Sequence, residues 1–383
     1  MTLDLICRVV DNYGDIAVVW RLAQALVQDG GSELRVRILV DDWDALGALN
    51  PALSTGNPRQ ELPCAGGTVT VLRSPPAEAD RRLGVADVIV EAFGAPTPAA
   101  WMEAFLDAAA ADPAGRRIIV HLEYLTAEAW SEAYHLLPSP LGHPGVERHF
   151  FVPGFRPQTG GLVFTDPSAH PAVRGSEDWL MTLFSYEHDF TRFWEELADF
   201  LDGRHQCARV IVFAGRSRAG ALEAWQKVRS SRPSPPAITV VDQGFVDQNT
   251  YTSLLAAGDF HVVRGEESWV QAVLSGRPFL WHAYLQTGGH QQVKVDAFLE
   301  VWEPRFDGEG EAGQRVFSQV AREFRAFNRR TVDSAAEPGL EGYRVFWENR
   351  ELLERVGRTW AAELRKNAKL SRKLLEFLEK VRV

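Results

Sequence analysis

Short apolar runs of strand length alternate with helical stretches along most of this chain, and the alternation forms two consecutive series. The first series predicts strands at residues 3–10, 35–40, 69–72, 87–91 and 117–122. The second predicts strands at residues 179–185, 209–214, 237–242, 260–263 and 278–281. Alternation of this kind is typical of parallel sheets whose strands are joined by crossover helices. The chain is therefore predicted to be an α/β protein.

Two consecutive Rossmann-like halves that face each other across a cleft are the architecture of the glycosyltransferase B fold. Tandem Rossmann-like halves also occur in some dehydrogenases and epimerases, so the fold alone does not identify the chemistry. A length of 383 residues exceeds one typical hydrophobic core and also favours two domains.

The predicted boundaries follow a cluster of prolines and glycines between residues 138 and 171. Residues 1–150 are predicted to form an N-terminal Rossmann-like domain and residues 151–172 an interdomain segment. Residues 173–345 are predicted to form a C-terminal Rossmann-like domain. The helical tail, residues 346–383, is expected to pack near the domain junction.

Composition narrows the class of partner. A net charge of -10 argues against a nucleic-acid backbone, because phosphate binding needs a basic face. That charge suits an enzyme for small molecules, or one that docks a locally basic protein surface. The scattered cysteines Cys7, Cys64 and Cys207 form no metal-ligand or redox pattern. With no signal peptide and no apolar run near the ~20 residues of a membrane span, we expect a cytoplasmic protein.

A carboxylate-bearing turn follows the first predicted strand, in the stretch Asp11-Asn12-Tyr13-Gly14-Asp15-Ile16. A helix is predicted next, over residues 17–27. Such a turn places side chains at the carboxyl edge of the sheet, where α/β folds bind ligands. Asp11 and Asp15 could orient a cationic acceptor there and act as a base. The alternative is that Asp15 caps the helix and Asp11 is solvated.

A second charged cluster, Arg264-Gly265-Glu266-Glu267-Ser268, follows a predicted strand and begins a helix. Helix N-termini bind anions through unpaired N–H groups and the macrodipole. Gly265 would let the backbone approach a phosphate, and Arg264 could neutralise a diphosphate. An acidic residue there could hold a ribose or sugar hydroxyl. The alternative is an ordinary helix start with acidic residues in its first turn. We expect this cluster to face the first turn across the cleft.

Other site types have weaker support. The chain has no G-x-G-x-x-G after its first strand and no G-x-x-x-x-G-K-[ST], which disfavours a nicotinamide-dependent oxidoreductase. The acidic run Asp41-Asp42-Trp43-Asp44 suggests a metal site, but Asp is also a common helix cap, and we predict no metal. His121, His261 and His282 lie in apolar runs and are expected to be hydrogen-bonded core residues.

Taken together, short motifs in order along the chain resemble those of the EarP family, protein-arginine rhamnosyltransferases that modify translation elongation factor P. The opening motif is the Asp11 to Ile16 stretch followed by Trp20-Arg21-Leu22-Ala23. Further similar motifs are Glu91-Ala92-Phe93, Leu122-Glu123-Tyr124-Leu125, Leu137-Pro138-Ser139-Pro140, Phe151-Val152-Pro153-Gly154-Phe155, Thr159-Gly160-Gly161-Leu162, Phe184-Ser185-Tyr186-Glu187, Arg264-Gly265-Glu266 and Pro278-Phe279-Leu280-Trp281-His282. No single motif is diagnostic, whereas the ordered set is specific.

The resemblance implies the glycosyltransferase B fold, with two Rossmann-like domains facing each other across a cleft. It also implies an inverting, metal-independent glycosyltransferase without a cofactor, whose donor substrate is dTDP-β-L-rhamnose. The acceptor would be an arginine at a loop tip of elongation factor P, with no nucleic acid or membrane as partner. The N-terminal domain would then be the acceptor side and the C-terminal domain the nucleotide-sugar-binding side.

By matching position, the resemblance makes Asp15 the general base and Asp11 its orienting partner, with Glu266 also assigned to the catalytic group. The implied substrate-binding residues are Asn12, Tyr13, Gly14, Phe184, Tyr186, Phe245, Gln248, Tyr251, Arg264, Gly265, Glu267, Ser268 and Tyr284. Among them Phe245 and Tyr251 would flank the thymine, and Tyr284 would contact a phosphate.

Some positions depart from the family pattern. Ala17, Tyr13, Glu267 and Tyr251 are mild replacements that should preserve their roles. The segment Leu285-Gln286-Thr287-Gly288-Gly289 lacks the expected proline and acidic residues, which leaves donor contacts beyond Tyr284 open. Two alternatives are a related glycosyltransferase with another acceptor and a non-catalytic module that binds elongation factor P.

Overall fold

The computed structural model describes residues 1–10, 13–54, 56–112, 114–165, 178–329 and 342–382. Contacts within the chain divide it into two units. Unit 1 comprises residues 1–167 and 366–383, and unit 2 comprises residues 168–365. Each unit contains one sheet, so the predicted α/β class is confirmed. No helix among the described residues combines the length and apolarity that spanning a bilayer requires.

Unit 1 contains a seven-stranded sheet with helices between most strands. Its elements are β1 (Thr2–Cys7), α1 (Gly14–Gly30), β2 (Arg35–Val40), α2 (Trp43–Leu49), β3 (Arg59–Cys64), β4 (Gly67–Arg73), β5 (Val88–Ala92), α3 (Ala99–Ala111), β6 (Arg117–Leu122), α4 (Trp130–Tyr134) and β7 (Val146–Phe151). The strand order is β3-β4-β2-β1-β5-β6-β7. All neighbours are parallel except the β3–β4 pair.

Unit 2 contains a five-stranded, fully parallel sheet in the order β10-β9-β8-β11-β12. Its elements are β8 (Trp179–Leu183), α5 (Thr191–Asp202), β9 (Ala208–Phe213), α6 (Arg218–Ser231), β10 (Ile238–Gln243), α7 (Gln248–Ala257), β11 (Phe260–Arg264), α8 (Glu267–Ser275), β12 (Phe279–His282), α9 (Gln291–Trp302), α10 (Gly310–Phe327), α11 (Arg344–Glu348) and α12 (Arg350–Asn367). The chain returns to unit 1 at the end of helix α12, and the last helix, α13 (Leu370–Arg382), belongs to unit 1.

Both faces of the unit 1 sheet are covered by apolar side chains. Successive residues of a strand point to opposite faces, so Leu5 joins one cluster and Ile6 the other. Helix α1 packs on the first face, and Leu374 of α13 lies in the same cluster. Because both faces of the parallel sheet are covered, the side chains that a ligand can reach lie at the ends of its strands.

In both units the strand order reverses beside the first strand. In unit 1 the chain proceeds outward from β1 on one side and returns to begin β5 on the other side. In unit 2 the same reversal occurs between the neighbouring strands β8 and β11. Crevices at the carboxyl ends of such strands are the ligand sites of open α/β sheets.

Candidate functional site

The carboxyl end of β1 in unit 1 holds Asp15, in the first turn of α1. The side chain is only 4% exposed. Its Oδ2 accepts a hydrogen bond from the Val10 backbone N–H at 2.9 Å, and Tyr124 donates its hydroxyl to Oδ1 at 3.5 Å. Tyr13 occupies the N-cap position of α1 without a side-chain capping bond. Asp15 therefore ties the preceding loop to the helix and is not its N-cap.

Of the other residues predicted for this turn, the structure describes only some. Asp11 and Asn12 lie outside the described residues. Tyr13 is exposed, and Gly14 is the first residue of α1. Below the turn Cys7 is buried, and burial together with the carboxylates of Asp15 and Asp41 raises the pKa of its thiol. The thiol stays protonated, so it supplies no nucleophile to this site.

The sequence alone assigns no role to Glu91, Phe93 and Tyr124, which lie at the ends of β5 and β6, and it predicts His121 in the core, whereas His121 is only half-buried. The Phe93 and Tyr124 rings stack with centroids 4.5 Å apart. Glu91 lies 3.1 Å from His121 Nδ1 and accepts the Thr97 hydroxyl at 2.8 Å. Burial alone would raise the pKa of Glu91, but the hydrogen bonds from His121 and Thr97 hold it below its usual range. Unit 1 therefore places Glu91 as a second carboxylate near the end of the adjacent strand.

The corresponding edge of unit 2 centres on Arg264, the last residue of β11. Its guanidinium carbon lies 4.5 Å from the Phe184 ring centre and 4.9 Å from that of Tyr186. Both rings follow β8, the neighbouring strand. Within the described ranges, this guanidinium forms no ion pair and no hydrogen bond. Two aromatic faces thus hold the Arg264 guanidinium, and its N–H groups remain available to donate to a ligand.

The turn after Arg264 needs glycine. Gly265 has a φ of +62°, a region that favours glycine, and a Cβ there would lie 3.3 Å from the Tyr186 hydroxyl. Glu266 is the N-cap of α8 and Glu267 its first residue. The Ser268 hydroxyl is buried and hydrogen-bonded to the Arg264 carbonyl, so it stabilises the turn. The helix consequently begins directly beside the arginine.

Aromatic side chains extend the cluster on both sides. Tyr284 packs edge-on against Tyr186 with ring centres 5.6 Å apart, and Tyr251 packs against Phe184 at 5.8 Å. Gln248 lies one turn before Tyr251 on α7, and Phe245 is exposed in the preceding loop. The predicted donor residues after β8, β11 and β12 are therefore brought together.

Gly215 is a further component that was not predicted. It follows β9 with a φ of +153°. A Cβ at this position would lie 3.3 Å from the Phe184 ring and 3.8 Å from Arg264 Nη2. Glycine therefore leaves open the space beside the guanidinium.

The remaining sequence candidates have structural roles. Asp42 caps α2 by accepting the Ala45 N–H at 2.9 Å, and Asp41 accepts the Val9 N–H at 2.9 Å. His261 is fully buried between the Thr182 hydroxyl and the Leu255 carbonyl, as a core histidine should be. His282 is buried with its Nδ1 2.7 Å from the Ser185 hydroxyl.

Comparison with known proteins gives consistent matches. A family model described as "Elongation-Factor P (EF-P) rhamnosyltransferase EarP" matches residues 3–379. The protein-arginine rhamnosyltransferase of Pseudomonas putida is 36% identical over 324 residues, which cover 78% of this chain and 80% of that protein. The protein of the same description from Pseudomonas aeruginosa is 31% identical over 399 residues, covering 98% of each chain.

One solved structure is similar over 99% of both chains, with a TM-score of 0.55 and 22% identity. It is described as the structural basis for EarP-mediated arginine glycosylation of translation elongation factor EF-P. At this level of identity the likeness is one of fold. The predicted glycosyltransferase B fold is thereby confirmed.

Proposed function

The chain belongs to the EarP family of elongation factor P rhamnosyltransferases, and we propose that it transfers L-rhamnose from dTDP-β-L-rhamnose to an arginine of translation elongation factor P. The observation that carries the proposal is a pair of complementary charges. Unit 1 presents the buried carboxylate of Asp15 where its strand order reverses, and unit 2 presents Arg264 at the equivalent place. A cationic acceptor suits the first site, and an anionic donor suits the second.

On the donor side, the leaving dTDP gains negative charge as its bond to the anomeric carbon breaks. The Arg264 guanidinium and the N-terminus of α8 are preorganised donors for that charge. They would stabilise it without a metal ion. The exposed Phe245 ring and Tyr251 would flank the thymine, because every base has a π-face on which an aromatic ring can stack.

On the acceptor side, the chemistry is limited by the guanidinium. The pKa of a guanidinium lies so far above neutrality that deprotonation at pH 7 costs roughly 9 kcal/mol, so an ordinary carboxylate does not remove the proton in advance. Proton transfer must therefore accompany attack on the anomeric carbon. The N–C bond forms as the C–O bond to the diphosphate breaks, with inversion. Asp15 accepts the proton, and Asp11 orients the guanidinium.

Unit 1 also offers a surface for a protein acceptor. Trp130 and Tyr134 of α4 are 46% and 48% exposed. Ring contacts continue from Trp130 to Tyr134, from Tyr134 to Phe150 and from Phe150 to His121, beside Glu91. We call Trp130, Tyr134 and Phe150 the aromatic strip. Exposed tryptophan and tyrosine are typical of interface hot spots, and the net charge of -10 favours a basic partner surface.

The proposal is tested by separating binding from transfer. Purified protein is incubated with elongation factor P and either dTDP-β-L-rhamnose or UDP-glucose, and the acceptor's intact mass is recorded. A single added deoxyhexose with the rhamnose donor alone supports the proposal. Donor hydrolysis without transfer would indicate a related glycosyltransferase with another acceptor. Binding of elongation factor P with neither transfer nor hydrolysis would indicate a non-catalytic module.

A further inference from the structure

The segments after β5 and β6 meet beside Asp15. Phe93 follows β5 and has a φ of +56°, a region that costs a non-glycine residue energy. Its N–H donates to the Leu122 carbonyl at 2.8 Å, which fixes the turn to the end of β6. In this conformation the Phe93 ring lies nearly parallel to Tyr124, at an interplanar angle of 18°. The strained backbone of Phe93 thus places its ring where it supports the Tyr124 ring.

Tyr124 is not a core side chain. It is 43% exposed although Phe93 is stacked on it. Its hydroxyl is 3.5 Å from Asp15 Oδ1, while Asp15 Oδ2 accepts the Val10 N–H. The two oxygens of one buried carboxylate are therefore oriented by different groups, one a backbone amide and the other Tyr124.

An arginine side chain that donates to this carboxylate must come close to Tyr124. A guanidinium is planar and weakly hydrated and stacks on aromatic faces, whereas an ammonium is compact and strongly hydrated. We propose that Tyr124 positions the acceptor guanidinium at Asp15 and selects arginine over lysine, with Phe93 holding the tyrosine ring in place. The inference rests on the proposed function and adds a specificity residue to the acceptor site.

Three variants separate the hydroxyl from the ring. Tyr124→Phe keeps the ring and removes the hydrogen bond to Asp15. The loss of this bond should lower kcat about twofold to tenfold, the size expected for one hydrogen bond that orients the base. The KM for elongation factor P should change less than about twofold. Tyr124→Leu should lower kcat by a similar factor and also raise this KM about fivefold to tenfold, the size expected for a lost cation–π contact. Phe93→Leu should raise the KM by a smaller factor with little change in kcat.

A second measurement does not depend on turnover. Calorimetry compares binding of elongation factor P with that of its variant in which the acceptor arginine is lysine. The wild-type enzyme should bind the arginine form about fivefold more tightly or better, Tyr124→Phe should keep most of this preference, and Tyr124→Leu should lose it. Affinity for dTDP should be unchanged in every variant, which also shows that each variant is folded.

The outcomes decide between the proposals. If wild-type enzyme binds both acceptors equally, or if Tyr124→Leu keeps the preference, the role of Tyr124 is overturned. If the wild-type enzyme prefers arginine through Tyr124 but transfers no rhamnose, the acceptor site stands and the proposed reaction fails. If every variant transfers rhamnose with the kcat and KM of the wild type, only the role of Tyr124 is refuted.

Discussion

Replacing Arg264 by glutamine removes the cation from the proposed diphosphate site. At about 4 Å and an effective dielectric constant near 20, a guanidinium and a phosphate attract each other by roughly 4 kcal/mol before desolvation. A net charge-assisted hydrogen bond contributes about 1.5–3 kcal/mol. We therefore expect dTDP affinity and kcat/KM for the donor to fall about 12- to 140-fold. The N-terminus of α8 remains and should retain some binding.

The same change removes contacts with the Phe184 and Tyr186 rings. Each contributes about 0.5–1 kcal/mol, so a small decrease in thermal stability is expected. Arg264→Lys keeps the charge but loses the planar donor fork, and should lie between the wild type and the glutamine variant. The matched control is Arg229→Gln, an exposed arginine in the last turn of α6.

Isothermal titration calorimetry with dTDP gives the affinities, and donor-dependent transfer gives kcat/KM. Both should be normal in Arg229→Gln. A folded Arg264→Gln protein that binds dTDP as tightly as the wild type would refute the assignment of the donor site to this edge of unit 2.

Four further predictions follow from the described contacts. Asp15→Asn should lower kcat at least 100-fold in a transfer assay with dTDP affinity unchanged, because the amide cannot accept the proton; near-normal turnover would exclude Asp15 as the base. Trp130→Ala should raise the KM for elongation factor P about fivefold to thirtyfold with little change in kcat. The control is Val85→Ala, at an exposed apolar residue before β5. An equal effect of both changes would contradict the proposal that the aromatic strip binds the acceptor. Gly265→Ala places a Cβ at φ +62° near the Tyr186 hydroxyl, so dTDP affinity by calorimetry should fall about fivefold to tenfold. Burial lowers the pKa of His261 from 6.5 to about 3, so protonation in the unfolded chain lowers the free energy of unfolding as the pH falls from 6.5 toward 3. Denaturant unfolding should show a loss of about 2 kcal/mol from this residue at pH 5. A folded His261→Asn variant should show no such loss.

Most strands could be predicted because buried parallel strands are apolar throughout. The predicted first strand, residues 3–10, extends past the observed end of β1 at Cys7, since the apolar residues Val9 and Val10 belong to the loop that reaches Asp15. Strand β3 was not predicted, because it is polar, contains Pro63 and lies at the sheet edge.

Strand β7 was also not predicted. It lies in the proline- and glycine-rich cluster, at the predicted boundary between the N-terminal domain and the interdomain segment, and it forms the other edge of the unit 1 sheet. Edge strands make fewer contacts on one side and therefore carry a weaker apolar pattern. Its pairing with β6, from Arg117 with Val146 to Leu122 with Phe151, is a tertiary feature that no local pattern encodes.

The site shows the same division between local and tertiary information. Asp15 and Arg264 could be located because each lies where a strand gives way to a helix, in a segment with its own charge pattern. The roles of Phe93, Tyr124 and Gly215 could not, because their contacts depend on which strands are neighbours. Strand order, and hence the meeting of these loops, is fixed by packing of the whole sheet.

The most direct test of the central claim is tandem mass spectrometry of elongation factor P after incubation with this protein and dTDP-β-L-rhamnose. The account predicts one deoxyhexose on one arginine side chain, absent when that arginine is replaced by lysine and absent with the Asp15→Asn enzyme. A sugar on another residue type, or an unmodified acceptor in the presence of enzyme that binds dTDP, would contradict it.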